Sequence, residues 1–360
     1  MGDRTGIEWT DASWNPLRGC SRVSEGCRHC YAETVAARFS GPGQPYEGLA
    51  KRVTRPDGTS EARWTGEVEL VEHMLEQPLR WKRPRRIFVN SMSDLFHESV
   101  PDEWIDEIFA VMACAPQHVF QVLSKRPERM LAYLTDPDLL ERIDCMIGYL
   151  ADRHSDPLAR RTTDLRATAP YLSGDDPPWP LPNVWLGVSV EDQATADERI
   201  PVLLDTPAAV RWISAEPLLG PVDLCSTKGG TLWMGGQRGC GGTHRGIGSA
   251  DCPREPHHHH DDRCKPGLDW VVTGGESGTG ARPMHPDWAR SLRDQCTAAG
   301  VPFLFKQNGE WVSVSEVEGP GDHYAFPDGA TVRMTGKKRA GRTLDGRTWD
   351  QYPDQGTARA

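Results

Sequence analysis

The sequence has no apolar run approaching the roughly 18 residues of a membrane-spanning helix, which argues against a membrane partner. Its first residues, MGDRTGIEWTDASWNP, lack the basic, apolar, small-residue order of a secretory signal, so a cytoplasmic location is expected. Positive charge is not in excess: 41 Lys and Arg stand against 51 Asp and Glu, a net charge of −10. Such a chain is not an indiscriminate polyanion binder, and any contact with nucleic acid requires a local basic patch. No G-x-G-x-x-G follows the first strand-like segment, which counts against a dinucleotide-binding open sheet. The 36 glycines and 29 prolines make loops abundant without reaching the level of a wholly disordered chain.

What is present is a recurring strand signal. A weak first segment, Ala12–Arg18, is followed by Arg86–Ser91, His118–Ser124, Asn183–Val190, Val210–Glu216, Asp269–Gly274 and Pro302–Gln307. Most are near-continuous apolar runs, as buried parallel strands require. Asp102–Ala115 carries Trp104, Ile105, Ile108, Phe109 and Met112 on one helical face, and Trp288–Ala299 is closed by Gly300. Alternating strands and helices predict an α/β fold, a complete or partial TIM-like (β/α) barrel over residues 1–312. Insertions are expected at about 40–65, 144–182 and 225–267, and a small appendage at 313–360.

Cysteines are concentrated. Of ten, three form the pattern C-x6-C-x2-C at Cys20, Cys27 and Cys30, directly after the first strand-like segment. In a reducing compartment such a group points to a metal or cluster rather than to disulfides. Structural zinc needs four closed ligands, and His29 lies awkwardly between two of the cysteines. A 4Fe–4S cluster with three thiolates leaves one iron open. Spacing alone leaves zinc and iron–sulfur equally open. Three more cysteines, Cys240, Cys252 and Cys264, lie with His244 and the run His257–His260 in a Gly-rich stretch with little apolar content. Three thiolates and one imidazole make an ordinary structural zinc site, with His244 or His257 as the fourth ligand.

The segments WTDASWNPLRGCSRVSEGCRHCYAE, RIFVNSMSDLFHESVP, FQVLSKRPERM, NVWLGVSVEDQ, ISAEPLLGP and VVTGGESGTGARPMHPDW resemble a bacterial and phage three-Cys-motif family of radical S-adenosylmethionine (SAM)-like proteins. The Cys-Tyr-Ala ending is more distantly similar to spore photolyase. The resemblance implies a barrel of radical SAM type, a 4Fe–4S cluster on Cys20, Cys27 and Cys30, and SAM as cosubstrate. It implies that Ser93 and Asp94 hold the SAM amino group and that Lys125, beside Ser124, holds its carboxylate. Further polar groups at strand ends, Ser189, Glu191, Glu216 and Glu276, are candidates for the same mouth. Each has a structural alternative: Asp94 as the cap of a turn, Lys125-Arg126-Pro127 as a solvated loop. The Gly-rich turn Gly274–Gly280 permits close backbone approach but lacks a phosphate loop's Gly-Lys-Ser/Thr ending.

The expected activity is reductive cleavage of SAM to a 5′-deoxyadenosyl radical that abstracts hydrogen from a substrate, with an electron donor of flavodoxin or ferredoxin type. Nucleic acid or a nucleobase is one substrate class. The dense basic run Arg80–Arg86 precedes the second strand, at the end of the barrel away from its mouth; a solvated loop is the preferred reading, and a grip on a nucleic-acid backbone by basic residues interleaved with Trp81 is the alternative. The alternative from another class is a non-catalytic iron–sulfur protein, redox-sensing or partner-binding. A zinc protein without iron is the third.

Overall fold

The computed structural model describes residues 5–153, 179–225, 233–234 and 267–353. They fall into two compact units, Met1–Val188 with Thr206–Ala209, and Ser189–Asp205 with Val210–Ala360.

In the first unit, β1 (Ala12–Trp14), β2 (Arg86–Val89), β3 (Val119–Ser124) and β4 (Val184–Ser189) are successive parallel neighbours. In the second, β5 (Val210–Ala215), β6 (Trp270–Gly274) and β7 (Phe303–Gln307) are likewise parallel. Within each unit the parallel strands follow chain order. This is a mixed α/β fold compatible with a partial β/α barrel. Every residue of β4 and β6 is buried, which is why these strands read as unbroken apolar runs rather than alternating ones.

Helices between the strands bury one face. After α1 (Tyr31–Arg38), α2 (Asp102–Ala113) buries Ile105, Ile108, Phe109 and Met112. The helix α3 (Pro127–Leu134) starts with proline at its first position, where the missing N–H has no partner to lose. After α4 (Leu139–Arg153) and α5 (Gln193–Asp205) comes α6 (Pro286–Ala299). Its N-cap His285 accepts a hydrogen bond from the Asp287 N–H, and Gly300, at φ 67°, closes it in the left-handed conformation. Among the described residues no helix is long and apolar enough to cross a membrane.

Two segments depart from the expected pattern. The first strand signal splits at Asn15-Pro16: Leu17–Arg18 leaves the parallel sheet and pairs antiparallel with Glu69–Leu70. Pro16 has no N–H to donate to a ladder, but its carbonyl accepts from Val71 N at 2.7 Å. The polar stretch at 40–65 holds a hairpin, Ala50–Thr54 with Ser60–Trp64, turning through Pro56-Asp57-Gly58. It packs on the helix Tyr31–Arg38 through Ala32, Ala36, Ala50 and Tyr46, so small side chains let the two elements approach. In the second unit, Trp311–Ser313, Thr331–Met334 and His323–Ala325 form a three-stranded antiparallel sheet.

Candidate functional site

The loop after β1 carries the three cysteines, all free thiols of intermediate exposure. It is fixed to its surroundings by backbone first. Gly19, at φ 91°, pairs with Ser93 through a parallel bridge. A Cβ at Gly19 would lie 2.1 Å from the Glu67 carbonyl oxygen, so only glycine fits. Cys27 closes a short 3-10 turn, and the Cys30 N–H bonds the Cys27 carbonyl at 3.3 Å. Cys30 then caps the helix Tyr31–Arg38. Burial pushes the Cys30 thiol up, and the N–H groups of Glu33 and Ala32 at the helix start act against it. Burial also pushes Cys20 up, to about 12, with the Asp94 charge adding to the shift and Arg126 opposing it. The thiols of Cys27 and Cys30 bear on Cys20 electrostatically.

Arg126, at the end of the loop after β3, is the hub. Its Nη1 lies 4.0 Å from the Cys20 Sγ and 3.0 Å from Asp94 Oδ2. Its Nε donates to Glu98 Oε2 at 2.7 Å, and its Nη2 to Ser21 Oγ at 2.7 Å. Asp94 accepts three more hydrogen bonds, from Phe96 N, Ser124 Oγ (2.8 Å) and Lys125 N (3.0 Å). Ser93 Oγ donates to the Leu17 carbonyl at 3.1 Å. His97 completes the shell: its Nδ1 accepts from Ser99 N, which leaves Nε2 to donate to Ser21 Oγ at 2.9 Å. Burial first, and the neighbouring Arg126 second, hold its pKa down, so this neutral tautomer is the stable one.

Asn90, just past β2 at φ 60°, accepts Leu17 N at 3.3 Å through Oδ1, while its buried Nδ2 has no hydrogen-bond partner. A buried donor without a partner costs about 1–3 kcal/mol. Sequence reasoning passed over Asn90, His97 and Arg126. All three stand inside the segments quoted above, but nothing in their spacing marks them, and Lys125-Arg126-Pro127 has the alternative of a solvated loop.

Among the described residues no three His, Cys, Asp or Glu side chains are gathered as ligands of one metal ion. Cluster thiolates each bind a different iron, so they stand farther apart than ligands sharing an ion. The donor set at Cys20, Cys27 and Cys30, with a guanidinium beside Cys20, suits an anionic thiolate-bound cluster. The second cysteine group, Cys240, His244, Cys252, His257 and Cys264, lies outside the described residues.

The strand-end acids of the second unit are each held by a cation. Glu191 and Arg199 form a pair at 3.2 Å, both buried, and Arg199 also donates to the Ser189 carbonyl at 2.8 Å. Both oxygens of Glu216 lie 2.8 Å from Lys306 Nζ, and Gln307 Nε2 donates to Oε1 at 3.0 Å. Glu276 takes Arg282 through its backbone N–H at 2.7 Å and its guanidinium at 2.6 Å and 3.0 Å. Buried carboxylates require such partners, which is reason enough for these residues at these positions. The Gly-rich turn also has an internal reason: a Cβ at Gly275 would lie 2.0 Å from the Asn308 carbonyl oxygen. Its close approach is to its own backbone.

No curated protein and no solved structure gives a match. A family model described as a protein of unknown function, DUF5131, matches residues 4–353, nearly the whole length, and the chain belongs to that family.

Proposed function

We propose that the protein is a radical SAM enzyme whose 4Fe–4S cluster is held by Cys20, Cys27 and Cys30. One observation carries this reading: three free thiols on the loop after β1 adjoin polar groups from the loops after β2 and β3, with the Arg126 guanidinium 4.0 Å from Cys20. Cys20, Cys27 and Cys30 would hold the cluster, which when bound and reduced would supply the one electron needed for reductive cleavage of a C–S bond of SAM. Arg126 offsets the negative charge of thiolates. The unpartnered Asn90 Nδ2 donates to bound SAM, and Lys125 holds its carboxylate. Asp94, already engaged four times, positions Ser124, Lys125 and Arg126 and shares its charge with the SAM ammonium. A one-electron donor of flavodoxin or ferredoxin type is required.

A non-catalytic iron–sulfur protein is the second reading. It is favoured by the internal pairing of Asp94, Glu191, Glu216 and Glu276, which leaves few strand-end charges uncommitted. Anaerobic reduction of the iron-loaded protein with SAM separates the two. Release of 5′-deoxyadenosine supports the enzyme. Bound iron and sulfide without SAM cleavage favours the second reading, and a protein with no iron sinks both.

A further inference from the structure

We propose that the arginine-lined pocket beside the cysteine loop binds the phosphate backbone of a nucleic acid. What happens to that nucleic acid rests on the radical SAM reading; the binding does not. The pocket has a volume of about 560 Å³ and is walled by Arg22 and Arg28 of the cysteine loop and Arg55 and Arg63 of the hairpin. Ser24, in the same wall, is 4.0 Å from Cys27 Sγ, so one wall of the pocket is shared with the cysteine loop.

Charge is in surplus there. Glu61 pairs with Arg22, Arg55 and Arg63, and Arg22 also pairs with Glu33. Arg28 meets the exposed Glu25 at 3.6 Å. Four guanidinium groups thus face three carboxylates. Lys51 and Arg52 are exposed on the same hairpin. From Arg18 to Arg63 there are eight Lys or Arg and five Asp or Glu, a positive stretch in a chain of net charge −10. Glu61 fixes its arginines without covering them: the side chains of Arg55 and Arg63 remain 40% and 43% exposed, and that of Arg28 56%. A pre-oriented guanidinium fork with N–H groups left over matches phosphate oxygens.

The shape favours a nucleotide over an acidic protein surface. The cavity is of the size that takes a small molecule or a single nucleotide, whereas docking to a flat acidic surface needs no cavity. Val23 lines it with 45% of its surface exposed, and Tyr31 and Phe39 on the adjoining helix are 53% and 42% exposed. The exposed Phe39 ring has the Arg38 guanidinium over it at 5.6 Å, and an aromatic face beside a cation is what unpaired bases stack on. In the denser basic run Arg80–Arg86 the Arg85 guanidinium lies over the Trp81 ring at 4.7 Å and Arg86 pairs with Asp11, which leaves Arg80, Lys82 and Arg83 exposed as the competing surface.

The test is fluorescence anisotropy of a labelled single-stranded oligonucleotide titrated with the full chain at several salt concentrations. Binding should weaken steeply with salt. Arg28→Ala should weaken it roughly three- to tenfold and lower the slope of log K against log salt by about 1. Arg55→Ala with Arg63→Ala should weaken it further. These two hold Glu61, so Arg28→Ala, which leaves that network intact, decides the matter if the double variant fails to fold. Lys82→Ala with Arg83→Ala should bind as the wild type does. Absence of binding at low salt, or full binding by Arg28→Ala, overturns the proposal. Displacement by polyglutamate as effective as by unlabelled oligonucleotide overturns it in favour of an acidic protein. Release of 5′-deoxyadenosine is measured separately without oligonucleotide. Its absence with oligonucleotide binding retained removes the radical SAM reading alone, and its presence without binding removes this proposal alone.

Discussion

Asp94 joins the loops after β2 and β3, and its pairing with Arg126 is buried on both sides, at 8% and 10% side-chain exposure. Removing one partner of such a pair leaves the other charge uncompensated, at a cost of about 3–5 kcal/mol. Asp94→Asn should therefore lower the unfolding free energy by that order in a urea titration, besides weakening SAM binding. Unchanged stability with weakened SAM would mean that the carboxylate serves the ligand and not the loops. The thiols make a different kind of prediction. Replacing any one of Cys20, Cys27 or Cys30 with Ala leaves two protein thiolates, too few to hold the cluster. Visible absorption, iron and sulfide should all be lost, and Cys27→Ala that keeps them sinks the cluster assignment.

The loops are elements with their own constraints. Gly19 combines a left-handed φ of 91° with a carbonyl oxygen where its Cβ would be, so Gly19→Ala must displace either Cys20 or the Glu67 backbone. A loss of stability of more than about 1 kcal/mol is expected, together with reduced iron loading, and an unperturbed variant would show that the loop adapts freely. The loop after β2 is also tied down by Glu98. Burial raises its pKa, but the Arg126 hydrogen bond, the Glu98 backbone N–H and the charges of Arg126 and His97 together outweigh this and bring the carboxyl to about 2, from an ordinary 4.5. A carboxylate whose pKa is depressed on folding contributes stability above its unfolded pKa and loses it as pH falls through the folded one. The contribution is therefore full above about pH 4.5 and fades towards about pH 2. Glu98→Gln should be less stable than wild type near neutral pH, and the difference should narrow in acid denaturation curves. A gap that does not narrow would place Glu98 outside this linkage.

For the molecule as a whole, the cysteine-rich stretch at 225–267 should behave independently of the cluster. If Cys240, Cys252 and Cys264 hold zinc, Cys252→Ala should lose about one zinc per chain while iron stays constant, because ligand loss at one site leaves the other's thiolates intact. Anaerobically prepared protein without zinc would end that assignment. The seven parallel strands were legible in the linear chain, and so were α2 and α6, because burial on both faces or on one stripe imposes an apolar pattern that local reading detects. That three thiols share one loop was legible for a simpler reason: Cys20, Cys27 and Cys30 lie within eleven residues of sequence. The hairpin at 50–64 was less so, since its strand Ala50–Thr54 buries only its first residue and carries no alternating signal. What only tertiary structure decided is which charges meet. Arg126 reaches Ser21 and Cys20 across more than a hundred residues, Lys306 reaches Glu216 across ninety, and Arg22 meets Glu61 on the hairpin. Those partnerships assign the strand-end acids to internal pairs and gather Arg22, Arg55 and Arg63 around Glu61. An ion pair depends on distance in space, and a parallel sheet in chain order brings together loops that are far apart along the chain.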